Sequence, residues 1–340
     1  MKKCLLLMVF ILIIITGCGK ITIDKVIGDF IKDVDSSKSY NLVGTMEISN
    51  GDELYTYNID ASFLKDDYYK VILVNQTNNH EQVILKNKEG LYVVTPSLNK
   101  SFKFDSVWPE NSSQSYLLQN LVNDIKNDNT TELIEIDNGY IIKTKVNYPN
   151  NEELVYQKIY FDNNINLNKV EVYNKDDIVQ IKVTFKKINL KAKLKEDEFA
   201  LKNFIKEDTK KECEGENCDA KTSSIIENIV YPLYVPANTH LSGNEMVDTD
   251  DGNRIILTFG GEKNFVLVEE MAAVSNEFEI IPVFGDPLML NETIGALSNN
   301  SISWNNDNIS YYLVSSDLSN TELINVARSL NGTKSVMSNK

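Results

Sequence analysis

Histidine is nearly absent: the 340 residues hold only His80 and His240, and neither lies in an H-E-x-x-H pattern or beside a nucleophile. Neither the G-x-S-x-G elbow, the phosphate-cradling G-x-x-x-x-G-K-[ST] loop nor the dinucleotide G-x-G-x-x-G turn occurs. Acyl transfer and nucleotide binding therefore lack their usual geometry, and the reading is of a protein that is not an enzyme and carries no cofactor or metal. Positive charge is also in deficit, with 34 Lys and Arg against 49 Asp and Glu, a formal charge of −15. An acidic surface of this kind disfavours nucleic acid and anionic lipid head groups. Long apolar runs are missing too, since the longest, Cys4 to Ile15, falls short of the roughly twenty residues of a spanning helix.

That short run instead reads as an export leader over residues 1–17. Met1, Lys2 and Lys3 make its basic start, and Ile15-Thr16-Gly17-Cys18 resembles the bacterial lipobox. The reading predicts cleavage before Cys18 and a diacylglyceryl (palmitate-type) group on its thiol, the two chains holding the protein on the extracytoplasmic face of the membrane. Losing Lys2 and Lys3 takes the formal charge to −17, so the lipid alone must provide attachment. Abundant Lys, Asn and Ile suggest an AT-rich, Gram-positive source.

With Cys4 removed and Cys18 acylated, Cys213 and Cys218 remain, inside a charged stretch that breaks all periodicity. A small disulfide loop suits an oxidising exterior and free thiols are the alternative, while zinc would need further ligands. The stretch marks a linker at 206–222. It separates a first domain, 18–205, from a second, 223–331, with a disordered tail at 332–340.

In the first domain Ile23, Val26, Ile27, Phe30, Ile31 and Val34 share one face of a helical period. Alternating strands follow, divided by turn residues such as Asn50-Gly51, Glu89-Gly90 and Asn138-Gly139. A second helix is expected from Ser112 to Asp128. These elements predict a mainly β (α+β) domain, a long antiparallel sheet covered on one side by about two helices. The second domain reads as a small α/β unit. Ser224-Ile-Ile-Glu227 and Ser319-Asn-Thr-Glu322 have capping-box spacing, and strands are expected near 254–259, 264–270, 278–284 and 309–314. The acidic runs at Asp162 and Asp248 are read as turns, the first lacking the Gly and Glu of a calcium loop.

Between Val93 and Pro109 aromatics gather at a strand pair. There Trp108 either caps the core, or Phe102, Phe104 and Trp108 form the lip of a concave surface that meets a partner or ligand.

The run Leu91-Tyr-Val-Val-Thr-Pro-Ser-Leu-Asn-Lys-Ser-Phe-Lys-Phe104, with Trp108-Pro109 and Ser112 to Leu121, resembles the YdcC/GerS-type sporulation and germination lipoproteins. These in turn resemble the carrier LolA and the sensor RseB. The resemblance spans about residues 22–205 and implies an unclosed antiparallel β-barrel with covering helices. Tyr231-Pro232, Tyr234-Val-Pro236, Gly285, Trp304, Tyr311-Tyr312 and Ala327 to Leu330 are similar to a Firmicutes domain of unknown function. The resemblance implies a binding or scaffold role in envelope or cortex assembly, with a spore-cortex amidase as a candidate partner. Its alternative is a carrier or envelope-stress sensor that shelters acyl lipid in the half-barrel.

Overall fold

A computed structural model describes residues 23–51, 53–205, 225–249, 252–272, 277–306 and 308–330. Two antiparallel meanders build the larger sheet. The first comprises β1 (Ser39–Asn50), β2 (Glu53–Leu64), β3 (Tyr68–Asn75), β4 (Glu81–Asn87), β5 (Gly90–Thr95) and β6 (Lys100–Asp105). The second comprises β7 (Glu132–Ile136), β8 (Gly139–Lys145), β9 (Leu154–Asp162), β10 (Leu167–Asn174) and β11 (Val179–Asn189). They join where β1 pairs antiparallel with β11, at a bulge beside Gly44. A Cβ on Gly44 would collide with the Thr184 carbonyl, so the close approach of these strands requires glycine.

Alternation decides which face is buried. Leu42, Met46 and Ile48 of β1 and Tyr57, Ile59 and Ala61 of β2 point into one core, while the residues between them face outward. Helices α1 (Ile23–Ser36) and α2 (Leu118–Asn127) lie over this concave face. Val26, Phe30 and Val34 of α1 and Leu121, Val122 and Ile125 of α2 enter the same core, where Phe30 meets Phe161 edge-on at 5.1 Å. On the convex face Phe199 and Leu201 cover Tyr68, Leu85 and Tyr92. The sheet stays open: β7 ends one edge and the other ends at a strand from the second half of the chain. The protein is thus mainly β, with an unclosed half-barrel.

The second sheet has the order β12-β13-β14-β19-β18-β17-β16 and is antiparallel throughout. Its strands are β12 (Thr239–Thr249), β13 (Gly252–Gly261), β14 (Phe265–Met271), β16 (Asp286–Met289), β17 (Ile294–Leu297), β18 (Ser301–Asn306) and β19 (Ile309–Val314). Helix α3 (Asn320–Arg328) opens on the expected capping box, with Ser319 Oγ accepting from the Glu322 N–H, and packs Leu323 and Val326 against Leu257, Leu267 and Leu313.

Three expectations are corrected. Helix α2 starts six residues later than Ser112, because Ser113 accepts from the Asn147 N–H and donates to Asp124 Oδ1, each at 2.8 Å. Such side-chain bonds offer the chain an alternative to a helix. The capping-box spacing at Ser224 opens no helix over the described residues from Ile225. Asn253 instead pairs with both backbone groups of Ile226, at 2.7 and 3.2 Å, and Pro232 and Pro236 keep the following chain extended. The strand near 278–284, β15 (Glu279–Phe284), leaves the second unit and pairs in parallel with β6, becoming the last strand of the first sheet.

The two sheets are therefore clamped. Ile294 and Ala296 of β17 sit in the half-barrel core, the Gln82 amide oxygen accepts from the Ile294 N–H at 2.6 Å, and the Tyr57 hydroxyl donates to the Asn291 carbonyl.

Candidate functional site

The concave face has little room left. Between β1, the segments 111–116 and 148–151 and the inserted β16 and β17, the remaining cavity measures about 110 Å³. Met46, Ile48, Leu154, Ile181 and Met289 form its apolar walls, and Asn111, Gln114, Asn150 and Arg328 are also on its lining. That is less than the ~150 Å³ that admits a benzene ring. A long acyl chain does not fit in this cavity.

A larger cavity, about 270 Å³, opens between the sheets. Phe102 and Phe104 from β6 and Ile281 and Val283 from β15 form one wall, while Trp304 from β18 and Tyr311 and Tyr312 from β19 form the other. The period of two explains the first wall: Phe102 and Phe104 pair with Ile281 and Val283 in register, and all four point the same way. On the opposite wall Trp304 stacks on Tyr311 at 5.0 Å, a pair directly opposed across β18 and β19, while Tyr312 remains 45% exposed. Glu270 at the rim is held by the Arg254 guanidinium at 3.0 Å, and Asn305 accepts from Ser310 at 2.6 Å. The result is a cleft with a polar edge in which Phe104, Trp304 and Tyr311 are buried in the two cores, while Phe102 is part-exposed and Tyr312 exposed, the aromatic type that protein contact surfaces favour.

Of the residues singled out from the sequence, Phe102 and Phe104 thus come together in this cleft. Trp108 does not join them: it is 2% exposed, meets Tyr69 edge-on at 5.9 Å and belongs to the half-barrel core, as the packed-loop reading has it. Cys18, Cys213 and Cys218 lie outside the described residues. Sequence reasoning missed the strands β16 to β18, and with them the role of Trp304 as the far wall.

Two carboxylates are strongly perturbed. Burial pushes Asp124 up to about 7, against the lowering effect of hydrogen bonds from Ser113 and Gln157. Burial likewise pushes Glu269 up to about 7, where among the described residues its oxygens accept from the Val230 N–H at 3.2 Å. Each ties a loop to a sheet, Asp124 at α2 and Glu269 along the chain that enters the second unit. His80 lies in the turn between β3 and β4, and His240 on β12 at the edge of the second sheet. Among the described residues no three His, Cys, Asp or Glu gather where a metal could bind, and no helix is long and apolar enough to cross a membrane.

No protein-family profile matches the chain. Sporulation protein YdcC of Bacillus subtilis (strain 168) is 35% identical over 327 residues, spanning 95% of this chain and 94% of the relative. Among solved structures, the MucA/MucB complex of Pseudomonas aeruginosa matches 89% of this chain and 97% of the other at 12% identity and a TM-score of 0.33. A LolA superfamily protein of Nitrosomonas europaea matches 54% and 100% at 9% and 0.32. The CwlD amidase of Clostridioides difficile in complex with the GerS lipoprotein matches 49% and 95% at 16% and 0.23. Since the similarity to the Bacillus protein runs through both sheets and nearly the whole of each chain, this chain belongs to the family of sporulation protein YdcC.

Proposed function

We propose that the chain is a lipoprotein of the extracytoplasmic membrane surface that acts as a binding or scaffold protein in sporulation or germination, without turnover of its own. The observation that carries this reading is the family relationship, since the relative is named a sporulation protein and is matched over 94% of its length. Cys18 provides the anchor, and Cys213 and Cys218 close a small loop in the linker. The contact is with a protein, at the mouth of the aromatic cleft marked by Phe102 and Tyr312. A spore-cortex amidase is the candidate partner, on the resemblance of residues 91–121 to the GerS-type lipoproteins.

The carrier reading is weakened because the cavity against β1, about 110 Å³, has no space for a lipid tail, so an acyl chain would have to occupy the 270 Å³ cleft. Affinity capture of the tagged full chain from sporulating cells, with the eluate analysed for both proteins and lipids, separates the two. A stoichiometric protein partner is expected. Stoichiometric acyl lipid with no protein would overturn the scaffold reading.

A further inference from the structure

One cation on the cavity of the half-barrel has no anionic partner among the described residues. Arg328 is the last residue of α3 and reaches the lining of that cavity from the second unit. Its Nη2 donates to the Met289 carbonyl at 3.1 Å, but its Nε is shut off from solvent and meets no acceptor. The guanidinium forms no ion pair among the described residues. Asp286, the single carboxylate lining the same cavity, is already engaged by the Ser106 hydroxyl and by the Asn111 amide at 2.8 Å.

The negative end of α3 gives partial relief only, because the Arg328 carbonyl is itself taken up by Asn291 at 2.6 Å and by Asn50 at 3.4 Å. Burial lowers the guanidinium to about 10, still a full cation at neutral pH. Arg328 is part-buried with its Nε enclosed, and a charge so placed without a counter-charge gains by taking up an anion. The walls limit what else that anion carries. Met46, Ile48, Leu154 and Ile181 make one side apolar, Asn111, Gln114 and Asn150 lie among polar residues on the rest of the lining, and about 110 Å³ accepts on the order of five or six non-hydrogen atoms.

We propose that this cavity binds a monocarboxylate with a short apolar body, its carboxylate held by the Arg328 guanidinium and its body by the β1 wall. Two sources present that chemistry, a free short-chain acid and the C-terminal residue of a peptide. The site goes beyond the scaffold reading, because it is measured on the purified chain with no partner present.

The test follows the ¹³C-labelled methyls of Met46 and Met289 by NMR while the full chain is titrated with butyrate, butanol, decanoate or a short peptide ending in alanine. Saturable shifts of both methyls by butyrate or by the peptide, but not by butanol, are expected. Whichever of the two binds identifies the source. Arg328→Gln should weaken binding by roughly tenfold or more, the loss of one charge-assisted hydrogen bond. Met46→Trp, which fills the cavity and leaves Arg328 in place, should abolish it, read at Met289. Melting curves establish that both variants fold, and if either does not, the comparison of butyrate with butanol on the parent chain decides. The proposal is overturned if neither carboxylate gives a saturable shift, if butanol binds as tightly as butyrate, if a folded Arg328→Gln binds unchanged, or if decanoate outcompetes butyrate.

Discussion

Replacing Trp108 by Ala separates a core residue from a lip residue by magnitude alone. The indole is 2% exposed, packs within the half-barrel core and contacts Tyr69 at 5.9 Å. Truncating a buried aromatic of this size costs ~3–5 kcal/mol, the lost burial plus the void left behind. The neighbours cannot readily collapse, because Tyr69 and Trp108 sit between the strands and the loop leading to α2. At ~2–4 °C per kcal/mol for a unit of 150–250 residues, the melting temperature should fall by roughly 6–20 °C. Urea unfolding followed by far-UV circular dichroism is the suitable assay, since the substitution removes one of only two Trp fluorophores. A loss below about 1 kcal/mol would refute the packing described here and return Trp108 to the surface.

Glu269→Gln should flatten the pH dependence of stability. The carboxyl sits near 7 in the folded protein and near its ordinary 4.5 when unfolded, so its stabilising contribution is complete below 4.5 and is lost as pH rises through 7. The variant keeps an acceptor for Val230 and should exceed the parent by roughly 1 kcal/mol or more at pH 8 and by little at pH 4.5, measured by urea midpoints; equal pH profiles would contradict it. Cys18→Ser should leave the membrane fraction on cell lysis, and an unchanged detergent-phase share would show that no lipid sits on that thiol. Protein released from the cell surface should show no reaction of Cys213 or Cys218 with a thiol-alkylating reagent until it is reduced, and full alkylation without reductant excludes the bond.

Much of the first sheet was legible because its strands are wet on one side and dry on the other. Leu42, Met46 and Ile48 mark one face of β1 as plainly as Val26, Phe30 and Val34 mark α1, and Ser319 with Glu322 fixed the start of α3 locally. Strand β12 was not legible, since it lies at an edge with polar and apolar side chains alike exposed, and so has no alternation to read. β16 and β17 are four residues each, too short for a period. The alternation of Ile281 and Val283 announced a strand but not its partner, because pairing with β6 is set by distant contacts.

The same limit hid half of the cleft. Phe102 and Phe104 drew notice through aromatic density, but nothing local ties them to Trp304 and Tyr312. Arg328 gave no signal either: a cation in the last turn of a helix ordinarily complements the dipole, and only the tertiary structure turns it into a cavity.

The central claim is that a protein is bound at the aromatic cleft. A photo-crosslinking residue at position 312, 45% exposed on the cleft wall, compared with one at position 134, exposed on the distant β7, tests it most directly in sporulating cells. A discrete protein adduct from position 312 and none from position 134 is expected. No protein adduct from 312, or the same adducts from both positions, would contradict the account.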